Sequence, residues 1–328
     1  MEYVPFGRTG VKISRLALGT MTFGAEADEA TTQRLYARCR EAGINVFDCA
    51  DVYAKGRSEE LLGKLVAPER DRVVLTSKAY FPTGPDVNAR GSSRYHLVRA
   101  VEASLRRLRT DYLDVFFLHR FDELTALDET LRAVDDLVRQ GKVLYLGVSN
   151  FAAWQVMKAE GLAARDRLTR IVVLQPMYNL LKRQAEVELL PMARSEGLAV
   201  LPYSPLAGGL LTGKYADGAA KGRLRDNRMY QVRYGAPSYA DTVAGLVALA
   251  AELGVSATAL AIAWVAAHPA VTAPLLGARS VEQLEDALKA SELAMTPELY
   301  ARVAALSAEP PPATDRNEEK SAHSYGQR

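Results

Sequence analysis

The sequence is poor in the residues that carry most redox and metal chemistry. It has two cysteines, Cys39 and Cys49, and four histidines. Two cysteines cannot build a disulfide framework, and no others are available for a zinc site. Surplus charge is also missing. Lys and Arg number 41 against 39 Asp and Glu, and the net +2 points to neither nucleic acid nor a membrane surface. No stretch approaches the run of about 20 apolar residues that a membrane span needs, and the start, MEYVPFGRTG, has no apolar signal core. No G-x-G-x-x-G follows a strand-like run, so a Rossmann dinucleotide site is not supported. Internal repeats are absent too. The expectation left standing is a globular protein of the reducing cytoplasm. A hydrophobic content of 48% over 328 residues is enough for a large core, in two domains or in one α/β barrel.

What is present is a rhythm. YVPFGRTGVKIS reads as a hairpin turning at Gly7–Gly10. Apolar runs then recur at 16–19, 45–50, 73–78, 113–119, 143–149, 171–175, 199–204 and 271–277. They alternate with helical patterns near 29–42, 58–65, 94–109, 128–140, 153–163, 184–196, 241–253 and 280–290, and a further apolar helix is read at 257–268. Near-continuous apolar strands indicate a parallel sheet covered on both faces. Gly43, Gly141 and Gly197 each stand between a helix and a strand, where a left-handed helix end is expected. Eight βα units with no linker favour a closed (β/α)8 TIM barrel, α/β in class, with an N-terminal β-hairpin and extra helices. One domain is expected over 1–308. A polar, Pro-rich tail, 309–328, is read as mobile or laid on the surface. Two long loops break the rhythm, 79–93 and 206–240, and the second carries Arg223, Arg225, Arg228 and Arg233. Loops of that length are commonly functional.

In such a barrel the reacting groups sit where strands end. The strand ends here carry Asp48, Lys78, His119, Ser149 with Asn150, Gln175, and Tyr203 with Ser204. FDCADVY, 47–53, leaves an apolar strand and adds Tyr53 to that set. Taken singly, Asp48 reads equally well as a turn residue, Tyr53 as surface packing and His119 as a satisfied core histidine. A lysine ending a buried strand is costly without a partner. Together, an acid, a phenol, an amine and an imidazole at one mouth handle protons. A carbonyl that accepts hydride needs a proton, and Tyr53 can give it. Its ordinary pKa of about 10 makes it a sluggish acid, and a nearby Lys78 is expected to lower it. Asp48 can hold that lysine, and His119 can donate a hydrogen bond to the carbonyl oxygen. No side chain supplies hydride, so a cofactor must.

These residues resemble the aldo-keto reductases, and the resemblance covers essentially the whole chain. GRTGVKISRLALGTMTFG, FDCADVY, the Ser77–Lys78 pair, LDVFFLH and GVSNF follow the family's blocks in order. YSPLAGGLLTGKY (203–215) and LLGARSVEQLEDAL (275–288) are similar to the cofactor segments of its longer, bacterial-type branch, related to the potassium-channel beta subunits. The resemblance implies a TIM barrel, NADP(H) without metal, and a tetrad of Asp48, Tyr53, Lys78 and His119, with Tyr53 as acid and base. It implies that Ser149, Asn150 and Gln175 hold the nicotinamide carboxamide and that Tyr203 stacks on its ring. Ser204, Leu206, Gly208 and Lys214 would follow the pyrophosphate, with Gly277, Arg279 and Gln283 around the adenosine phosphate. Gly19, Thr20, Met21, Pro205, Leu211 and Ala278 complete the implied cofactor contacts. Two departures stand out: Cys49 replaces a usual Thr and would be oxidisable if exposed, and Ala287 replaces a usual Asn against adenine.

Competing readings are weaker. GGLLTGKY (208–215) nearly spells a P-loop, but Tyr215 stands where magnesium binding needs Ser or Thr. A non-enzymatic NADPH-binding subunit and a ketoreductase of nucleotide-linked sugars remain as alternatives to a reductase of small carbonyl compounds. Ser280 and Gln283 read as a capping box. Arg279 just before them has no part in it and suits a phosphate.

Overall fold

The computed structural model describes residues 1–215, 222–316 and Glu318. Part of the 206–240 loop (216–221) and most of the predicted tail beyond Arg316 lie outside the described residues. β1 (Tyr3–Pro5) and β2 (Lys12–Ser14) form the antiparallel hairpin. Eight parallel strands follow: β3 (Ala17–Gly19), β4 (Val46–Asp48), β5 (Val74–Ala79), β6 (Leu113–Leu118), β7 (Val143–Ser149), β8 (Ile171–Gln175), β9 (Ala199–Val200) and β10 (Leu275–Leu276). Their lateral order is β10-β3-β4-β5-β6-β7-β8-β9. The two ends of that order meet, because the Thr272 N–H donates to Val200 O at 2.9 Å and the Leu275 N–H to Pro202 O at 2.9 Å. The fold is the expected α/β TIM-barrel type with an N-terminal hairpin.

Side chains alternate across a strand, so each strand feeds two cores. Phe47, Leu75, Phe116, Leu146, Leu174 and Val200 point outward into the layer shared with the helices. Val46, Val74, Val115, Phe117, Val173, Ala199 and Leu275 point inward and form a separate cluster in the barrel. Phe6 and Ile13 of the hairpin region belong to that inner cluster, so the hairpin plugs one end. Space inside is tight: a Cβ on Gly147 would lie 2.4 Å from the Phe117 ring. At the plugged end Arg15 donates to Val271 O at 2.7 Å and Thr272 O at 3.0 Å, fastening the first unit to the last.

The outer helices are Glu29–Glu41, Arg57–Val66, Arg94–Leu108, Leu127–Arg139, Ala153–Asp166, Leu189–Glu196, Tyr239–Glu252 and Val281–Leu288, with Ala257–Ala267 fully packed beneath. Gly43, Gly141 and Gly197 are left-handed at φ 84°, 71° and 66°, as their helix-end positions require. The sequence reading is corrected in three places. The helix expected at 184–196 begins only at Leu189, after a short 3-10 turn. The strands expected at 199–204 and 271–277 shrink to two residues each, because Pro202 and Pro274 lack the N–H that a ladder needs. An unanticipated helix, Pro297–Ala304, starts on a Thr296 cap with proline in its first turn. Among the described residues no single helix is long and apolar enough to cross a membrane.

Candidate active site

Counting in steps of two along each strand from its inner-cluster residue, the inward positions reached at the open end are Gly19, Asp48, Lys78, His119, Ser149, Gln175, Tyr203 and Gly277. One residue from each of the eight βα units therefore meets at a single mouth. All but Lys78 line a cavity of about 940 Å3, which runs from Asp48, Tyr53 and His119 to Arg279, Gln283 and Ala287. Lys78 lies just behind its floor, fully buried.

The Lys78 ammonium is 2.5 Å from Asp48 Oδ2 and donates to Cys49 O at 2.6 Å. Asp48 Oδ1 accepts from the Thr76 hydroxyl at 2.7 Å and from Gln175 Nε2 at 2.9 Å. A buried carboxylate is tolerable only when its oxygens are satisfied in this way. The Tyr53 ring lies over the ammonium, 5.1 Å from nitrogen to ring centre, and meets His119 edge-on at 6.2 Å. Phe81 contacts the other side of His119, edge-on at 4.9 Å. Ala54 and Lys55, directly after Tyr53, are both left-handed, a conformation costly for residues with a Cβ.

Burial, with the Lys78 charge adding to it, holds the His119 pKa well below the ordinary histidine value, so the imidazole is neutral. Its Nδ1 is buried without a partner among the described residues. The expected lowering of the Tyr53 pKa by Lys78 is not found. Burial, and after it the Asp48 charge, push that hydroxyl well above the ordinary tyrosine range. The resting site therefore holds a protonated phenol beside a neutral imidazole.

Around this centre, Tyr203 donates to Asn150 Oδ1 at 2.8 Å, Asn150 Nδ2 donates to His119 O at 2.9 Å, and the Ser149 hydroxyl donates to Gln175 O at 2.8 Å. Asn150 and Ser204 are held left-handed, at φ 57° each. Met21, Pro205, Leu206, Gly208, Lys214 and Ala278 also line the cavity. Thr20 and Leu211 do not. Thr20 is buried with its hydroxyl on Asp48 O, and Leu211 is packed in the outer core. Cys49 is fully buried, 3.2 Å from the Ser58 hydroxyl, and burial pushes its thiol up to about 12, so the oxidation considered for an exposed thiol does not apply. Sequence reasoning missed Thr22, Phe81, Arg120, Met229 and Tyr230, which line the same space. Of these only Arg120, next to His119, left a readable signal.

The far end of the cavity is suited to an anion. Lys214 and Arg279 both line it, and neither has a carboxylate partner among the described residues. The helix Val281–Leu288 opens there on its Ser280 cap, and the positive end of its dipole suits an anion. A Cβ on Gly277 would meet nothing within 4 Å, and Gly208 and Gly209 are left-handed at φ 69° and 93°. Backbone can therefore approach a ligand closely at these points.

A sequence model of the aldo/keto reductase family matches residues 15–308. An uncharacterized oxidoreductase, YrpG, of Bacillus subtilis (strain 168) is 41% identical over 313 residues, which cover 91% of this chain and 94% of that protein. A probable voltage-gated potassium channel subunit beta of Oryza sativa subsp. japonica is 37% identical over 326 residues, covering 96% and 99%. A versiconal hemiacetal acetate reductase of Aspergillus parasiticus is 31% identical over 330 residues, covering 91% and 94%.

Proposed function

The chain belongs to the aldo/keto reductase family, and from that premise we propose that it reduces aldehyde or ketone carbonyls to alcohols with NADPH, Tyr53 giving the proton. A carbonyl-reductase kind of function follows from the family and its oxidoreductase relatives. The observation that carries the finer reading is Tyr53, His119 and Asp48 on the cavity wall, with the buried Lys78 paired to Asp48 just behind it.

When bound, NADP(H) supplies the hydride, which no side chain can. Lys214 and Arg279 would hold its phosphates, with Ser149, Asn150, Gln175 and Tyr203 toward the carboxamide and ring. The chain's own groups handle the proton and the charge. Neutral His119 donates a hydrogen bond to the carbonyl oxygen and orients it. The protonated Tyr53 hydroxyl delivers its proton to that oxygen as charge develops there. Lys78, fixed by Asp48, faces the phenolate that remains. Phe81 and the buried floor keep water from the reacting atoms.

The potassium-channel relatives favour a second reading, a cofactor-binding subunit without turnover. Following NADPH oxidation at 340 nm with 4-nitrobenzaldehyde separates the two. Steady turnover is expected, and Tyr53→Phe should lower kcat by roughly 10²-fold while NADPH still binds. Near wild-type kcat in that variant removes Tyr53 from the role. Tight NADPH binding with no turnover of any aldehyde favours the subunit reading.

A further inference from the structure

The cavity's charges can be accounted for one by one. Asp48 is paired with Lys78 and Asp286 with Lys289, the latter at 3.6 Å. Arg223 donates to Glu26 at 3.2 Å. Lys214 and Arg279 are set aside for the cofactor on the reading above. Arg120 and Arg233 remain. Both line the cavity, and neither has a carboxylate partner among the described residues. Each has an aromatic ring beside it, Tyr80 at 6.0 Å from Arg120 and Tyr230 at 5.6 Å from Arg233.

Arg120 is exposed and Arg233 half-buried, and both face the cavity. Arg120 directly follows His119 at the end of β6. Arg233 sits on the helix Arg228–Tyr234, across the mouth. Burial raises the Tyr203 pKa, and the Arg233 charge is the influence opposing it, so Arg233 acts on the ring that flanks Asn150. Arg225 and Arg228 of the same loop are exposed and do not line the cavity. Of the segment's four arginines, Arg225 and Arg228 are solvated, Arg223 is held by Glu26, and Arg233 faces the site. Two guanidinium groups without a carboxylate partner among the described residues focus a positive field where a substrate must enter. Their planar forks match carboxylate or phosphate oxygens.

We propose that the substrate is an anionic carbonyl compound, an aldehyde or ketone carrying a carboxylate or phosphate at the end remote from the reacting carbon, and that Arg120 and Arg233 read that charge. The inference rests on the reductase reading. It adds the class of substrate to it.

Matched pairs of aldehydes test it: 4-carboxybenzaldehyde against methyl 4-formylbenzoate, and glyceraldehyde 3-phosphate against glyceraldehyde. The anionic member is expected to have the higher kcat/KM, by roughly tenfold or more for a charge-assisted contact. The advantage should shrink as salt is raised. Whichever pair gives the larger ratio identifies carboxylate or phosphate. Arg120→Gln and Arg233→Gln should each narrow the ratio, and the lysine variants should restore part of it. A merely structural disturbance lowers both members and leaves the ratio alone. Ratios near one in the wild type overturn the proposal. So does a pair of glutamine variants that raise the KM for NADPH while keeping the ratio, which assigns the arginines to cofactor. If no aldehyde is turned over, the reductase reading fails separately. Binding of 4-(hydroxymethyl)benzoate against its methyl ester, read by protein fluorescence, then decides the charge preference by itself. Equal binding there overturns it.

Discussion

Asp48 uses two oxygens for three tasks: Oδ1 takes Thr76 and Gln175, and Oδ2 takes Lys78. Lys78 is fully buried, and among the described residues Asp48 and one backbone carbonyl satisfy it. The two residues should therefore behave as one unit. Lys78→Met is expected to lower kcat strongly and Asp48→Asn less. The double variant should fall well short of the product of the single losses. Each single change also leaves a buried group unpaired, at a cost of roughly 3–5 kcal/mol, so unfolding must be followed alongside kinetics. Strictly multiplicative losses in folded protein would reduce Asp48 to a turn residue. The meeting of Asp48, Tyr53, Lys78 and His119 was legible because polar residues ending apolar strands are conspicuous. The left-handed Ala54 and Lys55 were not, since neither residue type announces that conformation. The pKa of Tyr53 was misjudged for a related reason. Proximity to Lys78 can be guessed from strand ends, but the depth of burial that dominates the Tyr53 shift cannot.

The helix Val281–Leu288 shows how an element end can serve two purposes. Ser280 caps it, its Oγ accepting from the Gln283 N–H at 3.4 Å. Gln283 does not complete the expected box on Ser280. Its Oε1 reaches one residue further and accepts from the Arg279 N–H at 3.1 Å. That bond fixes the backbone of Arg279 and leaves its guanidinium for a ligand. The 2′-phosphate distinguishes NADPH from NADH, and Ala287, in the cavity wall, offers adenine no hydrogen bond. Arg279→Ala should therefore weaken NADPH binding about tenfold to a hundredfold, as loss of a contact worth roughly 1.5–3 kcal/mol. NADH binding should change little. Fluorescence titration with both cofactors measures this, and equal losses would mean that Arg279 stacks on adenine. Among the elements, long amphipathic helices and six-residue strands were readable from their periods. β9 and β10 were not, because their prolines break the ladder without breaking the apolar run.

At the scale of the whole molecule, a closed barrel was legible from eight alternations, and the inward step of two residues explains why its mouth collects the polar strand ends. That same closure creates a burden the sequence did not reveal. Asp51 lies behind the mouth, 3% exposed, with both carboxylate oxygens lacking partners among the described residues. Its N–H donates to Lys78 O at 3.1 Å. Burial first, then the charge of buried Glu59, push its pKa up to about 7, against the opposing pull of Arg107. Glu59 itself is held by Arg107 at 2.6 Å and by the Ser77 hydroxyl at 2.5 Å, so neither partner is free to serve Asp51. In the unfolded chain an aspartate titrates near 4. The folded value is higher, so the folded state binds more protons between these limits. The stability gained by keeping Asp51 protonated is complete below about pH 4 and is lost as pH rises through about 7. A shift of roughly three pH units corresponds to at most about 4 kcal/mol. Asp51→Asn keeps the shape and removes the titration. Urea unfolding at pH 5 and pH 8 should find the wild type losing stability relative to this variant as pH rises, with the variant the more stable at pH 8. A constant difference between the two proteins at both pH values would mean that Asp51 is already ionised in the folded barrel.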